Sequence, residues 1–275
     1  MDRDLLLSRY KPRWLGSRLE CHGILPSTND RARQLLDELG PEAHGAVVFA
    51  EGQSAGRGRF GSAWASPAGL SISMSAALWA NPPRDTLPLL TLAGSLAVAS
   101  ALSESAAVEA GLKWPNDVVC RGRKIAGVLL EGRWSGESLE GLVLGIGVNL
   151  RQKKSDFPQE LRDGATSVLI ERGSAAKDEA FAASLLAGLE PLLARGLEDP
   201  AALLRPAAAR WVHVPGEPLC ATFGGREIRG AFAGVSEDGE LILESREGRV
   251  TLRYGEAHGV RDRPRAARAR GTVKA

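Results

Sequence analysis

Residues 56–61 read Gly-Arg-Gly-Arg-Phe-Gly, a run that neither a helix nor a regular strand accommodates well. Glycine reaches positive φ and lets a backbone lie close against a ligand. Arginine presents a fixed fork of donors that matches carboxylate and phosphate oxygens. The apolar run Ala46–Ala50, of strand length, delivers the chain to this loop through Gln53-Ser54, and Trp64 and Ser66-Pro67 follow it. The fold must therefore carry a glycine-rich loop off a strand, and a loop with both residue types is suited to closing over an anion.

The surrounding periodicities mix strands with helices. Leu70, Ile72, Met74 and Ala76 alternate with Ser71, Ser73 and Ser75, the period-two signature of a strand. Upstream, Ser27-Thr28-Asn29 offers capping side chains to a helix with Ala32, Leu35, Leu36 and Leu39 at helical spacing, ended by Gly40-Pro41. Residues 86–105, rich in Leu and Ala, read as a buried helix. Val118–Cys120, Ile125–Glu131 and Gly141–Leu150 read as strands, with a turn at Arg121-Gly122. Gly145 and Gly147 remove side chains from the last of these, where another group must approach closely. A second amphipathic helix spans about 177–196. Beyond Trp211, short apolar runs cut by Gly224-Gly225, Asp238-Gly239 and Glu247-Gly248 read as the hairpins of a small barrel. The expected plan is an α+β chain: a lead-in at 1–20, a main domain at 21–208, a β domain at 212–262 and a basic, disordered tail at 263–275.

Composition excludes several classes. A chain of 275 residues, 44% hydrophobic and 25% charged, is ordinary for a globular protein. No uninterrupted apolar run reaches the ~20 residues of a membrane span, so no membrane association is expected. The first residues mix acids with bases around three leucines, unlike a secretory signal. Cys21, Cys120 and Cys220 are odd in number and scattered, which fits reduced thiols in the cytoplasm. The four histidines show no zinc-ligand spacing. Of the net charge of +2, residues 261–275 hold +5, leaving −3 on the remainder. An acidic body disfavours a nucleic-acid partner. No helix-turn-helix fits ahead of the glycine loop, so DNA binding is not expected.

Four polar clusters remain. Ser27-Thr28-Asn29 either caps its helix or presents hydroxyls and an amide to a polar ligand. The glycine loop is a turn or an anion clamp. Lys113-Trp114-Pro115-Asn116-Asp117 fits a polar turn, and Arg123-Lys124 before Ile125-Ala126-Gly127 fits the charged face of an edge strand. Singly, each has a plain structural explanation. In this order and spacing they form a pattern.

That pattern resembles biotin–protein ligases, specifically the bacterial enzymes that attach biotin to the carrier domain of biotin-dependent carboxylases. The resemblance covers roughly residues 20–262 and rests on Ser27–Asn29, Gln53 with Gly56–Gly61, Trp64 with Ser66-Pro67, Lys113–Asp117, Arg123–Gly127 and Gly145–Leu150. Ala165-Thr166-Ser167 also falls where the family has it. Ser62 stands where many members carry a further basic residue, and Pro26 where an acid often precedes Ser-Thr-Asn.

The resemblance implies a class II tRNA-synthetase-like catalytic domain, a mixed sheet backed by helices, followed by an SH3-like β-barrel. It implies that ATP and biotin are the substrates, that Mg2+ accompanies the ATP, and that the acceptor is a lysine of a biotin carboxyl carrier protein. It leaves a protein-held metal undefined and allows a monomer or a homodimer. The alternative is a lipoate or octanoate ligase of the same fold. Lys124, Arg59 and Asp117 become the implied catalytic residues. Ser27, Thr28, Asn29, Gln53, Gly56, Arg57, Gly58, Arg59, Lys124 and Gly127 are the implied biotin contacts. Arg57, Arg59, Trp64, Lys113, Asn116, Lys124 and Asn149 are the implied ATP contacts.

Overall fold

The structure is a computed structural model that describes residues 1–223, 226–253 and 256–259. The tail expected at 263–275 and the Gly224-Gly225 turn lie outside the described residues.

The chain opens with helix α1 (Arg3–Arg9) and strand β1 (Leu19–Leu25), followed by α2 (Thr28–Leu39), β2 (Val47–Gln53) and β3 (Ser71–Leu78). Helix α3 (Leu87–Ala106) precedes the strands β4 (Gly111–Lys113), β5 (Asp117–Cys120), β6 (Arg123–Ser135) and β7 (Ser138–Asn149). Helices α4 (Val168–Arg172), α5 (Asp178–Glu198) and α6 (Leu204–Ala208) lead into β8 (Pro218–Phe223), β9 (Arg226–Val235), β10 (Leu241–Ser245), β11 (Gly248–Leu252) and β12 (Glu256–Gly259).

Seven strands form one mixed sheet in the order β1-β2-β3-β7-β6-β5-β4, in which only β1 and β2 pair in parallel. Its two faces follow from the period of two. On one face Ile72, Met74, Ala76 and Leu78 of β3, Leu142, Leu144, Ile146 and Val148 of β7, and Ala126 and Val128 of β6 join the main core with α3 and α5. On the other face α2 covers Ala77 and Val143 through Ala32, Leu35 and Leu36. Farther along that second face the positions become Ser75, Gly145, Gly147 and Gly127, paired laterally as Ser75 with Gly145 and Gly147 with Gly127. The sheet thus turns from a helix-covered core into a shallow polar floor.

Several expectations change. The expected lead-in at 1–20 is woven into the main core: Leu6, Tyr10 and Leu15 are buried there, and β1 starts at Leu19. The carboxylate of Glu190 on α5 accepts the backbone N–H groups of Arg13, Trp14 and Leu15 at 2.8–2.9 Å, and the Tyr10 hydroxyl donates to the Leu15 carbonyl. Ser27 is the N-cap residue of α2, but its side chain makes no cap hydrogen bond. Both faces of β3 are buried, the serines included. Two helical stretches, Arg84–Ala106 and Asp178–Glu198, are long and apolar enough to cross a membrane, a length the sequence reading had not found. Here they pack on each other and on the sheet, with apolar residues on all sides of α3.

The described C-terminal strands form an antiparallel sheet ordered β11-β10-β9-β8-β12, with its own core of Leu219, Phe232, Leu241, Leu243 and Leu252. Trp114, in the turn between β4 and β5, inserts into that core.

Candidate active site

A cavity of about 320 Å³ lies over the polar floor. That volume is within the range of small-molecule sites. Its lining brings together Ser27, Thr28, Asn29, Gln53, Arg57, Gly58, Arg59, Trp64, Lys113, Asn116, Asp117, Lys124 and Gly127. Two expected residues are not in the lining. Gly56 sits behind the loop, where a Cβ would lie 2.6 Å from the Trp64 carbonyl oxygen. Asn149 is buried away from the cavity, its amide donating to the Thr166 carbonyl at 3.0 Å and accepting from Gln152.

One end of the cavity is lined by neutral hydrogen-bonding side chains at the start of α2, backed by the Glu131 carboxylate. Gln53 Oε1 accepts from the Thr28 N–H at 2.8 Å and from its hydroxyl at 3.1 Å. Ser75 donates to Thr28 Oγ1 and to Asn29 Oδ1, and the Asn29 amide donates to Glu131 at 2.6 Å. Asn29 lies directly over Gly145, so any Cβ there would overlap its amide. Ser75 and Glu131 were missed in the sequence. Ser75 sat in an alternation that explained itself as a strand, and Glu131 at the end of one.

The other end is cationic. Arg57, Arg59, Lys113 and Lys124 all line it, against Asp117 as the sole carboxylate of the lining. Lys124 Nζ lies 2.6 Å from Asp117 and 5.5 Å from the centre of the Trp64 ring. Gly127 leaves room for the lysine: a Cβ there would be 3.1 Å from Lys124 Cε and 3.4 Å from Trp64. Trp64 itself packs flat on Gly147, and its buried indole N–H finds no acceptor among the described residues. Asn116 clips to the Val128 carbonyl at 2.6 Å.

The glycine loop folds back on itself. The Trp64 N–H donates to Gly56, the Gly58 N–H to Ser62, and Ser62 Oγ to the Arg59 carbonyl. Phe60 takes positive φ at the tip, 66% exposed, with the Arg59 guanidinium stacked on its ring. Arg57 forks onto Asp30 with two hydrogen bonds of 2.6 and 2.8 Å. The hydrogen bond from that guanidinium holds the Asp30 carboxyl below its ordinary pKa. Asp30 was not singled out in the sequence, since a carboxylate in the first turn of a helix is common.

From the C-terminal sheet, Ala257 reaches the cavity lining, and Leu161 does so from the 159–161 turn. His213, buried between the two sheets near Lys113, is held below its ordinary pKa by burial.

The model of the biotin/lipoate A/B protein ligase family matches residues 23–149. Over 237 residues the chain is 35% identical to the biotin–[acetyl-CoA-carboxylase] ligase of Paracoccus denitrificans, covering 82% of this chain and 94% of that relative. The chain belongs to the biotin/lipoate A/B protein ligase family. It is also 32% identical over 240 residues to the bifunctional ligase/repressor BirA of Bacillus subtilis, covering 85% of this chain and 71% of the relative. Among solved structures, the Aquifex aeolicus biotin protein ligase in complex with biotin and ATP superposes with a TM-score of 0.73 at 28% identity, covering 88% of this chain and 98% of that one. The family fold, a mixed sheet backed by helices, is the one found here.

Proposed function

We propose that this protein is a biotin–[biotin carboxyl-carrier protein] ligase that activates biotin with Mg-ATP and transfers it to a carrier lysine. One observation carries the reading: a single cavity joins a neutral donor–acceptor cluster to an end with four cations and one carboxylate. Biotin has this polarity, a neutral ureido ring at one end and a carboxylate at the other. The relatives of known structure and name point the same way.

In the first step a biotin carboxylate oxygen attacks the α-phosphorus of ATP, and pyrophosphate leaves with its magnesium. In the second, the neutral ε-amine of the carrier lysine attacks the acyl carbon of biotinyl-AMP. An amide forms as the acyl–phosphate bond breaks, AMP departs, and the proton lost by the amine passes to solvent. The first step brings two anions together. Arg57, Arg59 and Lys124 offset that repulsion and favour the charge that develops in the transition state. Ser27, Thr28, Asn29 and Gln53 hold the ureido ring. Gly58 lets the loop backbone approach the ligand, and Asp117 orients Lys124. Lys113, Asn116 and Trp64 face the nucleotide, where the unpaired Trp64 N–H meets an acceptor. Magnesium arrives as part of Mg-ATP; among the described residues no group of three His, Cys, Asp or Glu side chains is placed to hold a metal.

We read the C-terminal sheet as SH3-like and the protein as cytoplasmic, its three cysteines being free thiols. Isotope exchange between pyrophosphate and ATP tests the reading. Exchange that depends on biotin and ignores lipoate supports it; exchange driven by lipoate moves the chain to the lipoate branch.

A further inference from the structure

Lys124 stands one residue into β6, next to the Arg121-Gly122 hairpin tip and beside a register shift in the pairing of β5 with β6. Hairpin ends fray, and a frayed end would carry the Nζ away from the cavity. The backbone of Lys124 is held instead from a distant segment. Its N–H donates to the Gly164 carbonyl and its carbonyl accepts from the Thr166 N–H, each at 2.8 Å.

That segment is anchored by side chains. Thr166, fully buried, donates its hydroxyl to Glu171 Oε1 at 2.5 Å. The Glu171 side chain is 2% exposed and accepts from Arg123 Nη2 at 2.6 Å, with Arg121 at 3.6 Å. Arg123 is the residue before Lys124, so a ring closes through Lys124, Thr166, Glu171 and Arg123. Asn149 joins it by donating to the Thr166 carbonyl. A buried carboxylate is a costly way to fill space unless its pairing fixes a geometry. None of these groups except Lys124 lines the cavity.

We propose that Thr166 and Glu171 are positioning residues for Lys124, fixing the point from which its ammonium reaches Asp117 and the reacting anions. The proposal rests on Lys124 being the anion-binding lysine of the ligase reading. It also gives Asn149 a part in the site without contact with the nucleotide.

The test uses the full chain in six forms: wild type, Thr166→Val, Thr166→Ser, Glu171→Gln, Lys124→Ala, and Thr166→Val with Lys124→Ala. Biotin-dependent pyrophosphate exchange and the affinity for a non-hydrolysable biotinyl-adenylate analogue are measured. Thr166→Val lowers the exchange kcat by about ten- to a hundredfold, the range for a displaced catalytic group, with KM for biotin moving less. Thr166→Ser, which keeps the donor, recovers most of the loss, and Glu171→Gln reproduces the Thr166→Val split. In the Lys124→Ala background, Thr166→Val weakens analogue binding by no more than about twofold, because both act through one side chain. Equal weakening in both backgrounds, or wild-type exchange by Thr166→Val, overturns the proposal alone. Wild type that fails to exchange with biotin overturns the ligase reading as well.

Discussion

The indole N–H of Trp114 donates to the carbonyl of Gly239 at 2.9 Å, joining the main sheet to the C-terminal one. Trp114 belongs to the Lys113–Asp117 stretch that walls the cavity, yet its ring is buried among Leu219, Phe232 and Leu241. Leu112 of β4 also exchanges backbone hydrogen bonds with Arg210 and Val212, in the segment that leads to β8. That wall of the cavity is therefore held from behind by the smaller sheet.

The first prediction concerns this grip. Trp114→Phe keeps most of the packing and loses one buried hydrogen bond, costing about 1 kcal/mol of stability. Trp114→Ala opens a cavity and costs about 3–5 kcal/mol. In both, KM for ATP rises more than KM for biotin, because Lys113 and Asn116 shift while the α2 end stays put. Equal changes in both constants would count against the grip.

Glycines on the floor give a second prediction. Gly147→Ala drives a methyl into the Trp64 indole, and Gly145→Ala drives one into the Asn29 amide. Overpacking of this kind costs about 1–3 kcal/mol, which thermal unfolding will register. Displacing the cavity-lining Trp64 and Asn29 costs more in function on the proposed reading, about a hundredfold in kcat/KM. Gly145→Ala acts mainly on biotin affinity, and Gly147→Ala on both substrates.

The loop latch gives a third. Asp30 and Arg57 are both partly exposed, so their pair contributes no more than about 0.2–1 kcal/mol. Asp30→Asn leaves the melting temperature almost unchanged but raises protease cleavage within residues 56–63 by up to about fivefold. No change in cleavage would show that the latch does not hold the loop.

The fourth concerns pH. Burial pushes the Glu190 pKa up, but the three N–H groups of Trp14, Leu15 and Arg13 push it down further, leaving it below its ordinary 4.5. A carboxylate with a lowered folded-state pKa stabilises fully above its unfolded value and loses that contribution as pH falls through the folded one. Glu190 thus supports the fold at neutral pH and withdraws support only below about 4.5. Glu190→Gln destabilises the protein at pH 7 by about 1.5–3 kcal/mol, the scale of hydrogen bonds to a charge. The gap narrows on acidification below 4.5 and disappears in strong acid. A gap constant with pH would contradict this.

These residues also show how far the sequence could be read. The Gly-Arg loop was visible because its residue types suit an anion, whereas the Lys113–Asp117 stretch and Lys124, plain turn and edge-strand residues on their own, stood out only through the family resemblance. Helix α2, strand β3 and helices α3 and α5 were visible because apolar periodicity is local. What stayed hidden was non-local. The segment Arg13–Leu15 that follows the seven-residue helix α1 is held by Glu190, about 175 residues away. The serines of β3 look solvent-facing until Ser66 and Thr28 are brought to them. Trp114 and Thr166 looked like motif residues with no assigned work until their partners Gly239 and Glu171 were in place.

The most direct measurement is the intact mass of a biotin carboxyl carrier domain incubated with this protein, Mg-ATP and biotin, with lipoate and a lipoyl domain in a parallel reaction. The account predicts a gain of one biotinyl group on the carrier, absent with Lys124→Ala, and no gain in the lipoate reaction. A carrier of unchanged mass, or a gain in the lipoate reaction alone, would contradict it.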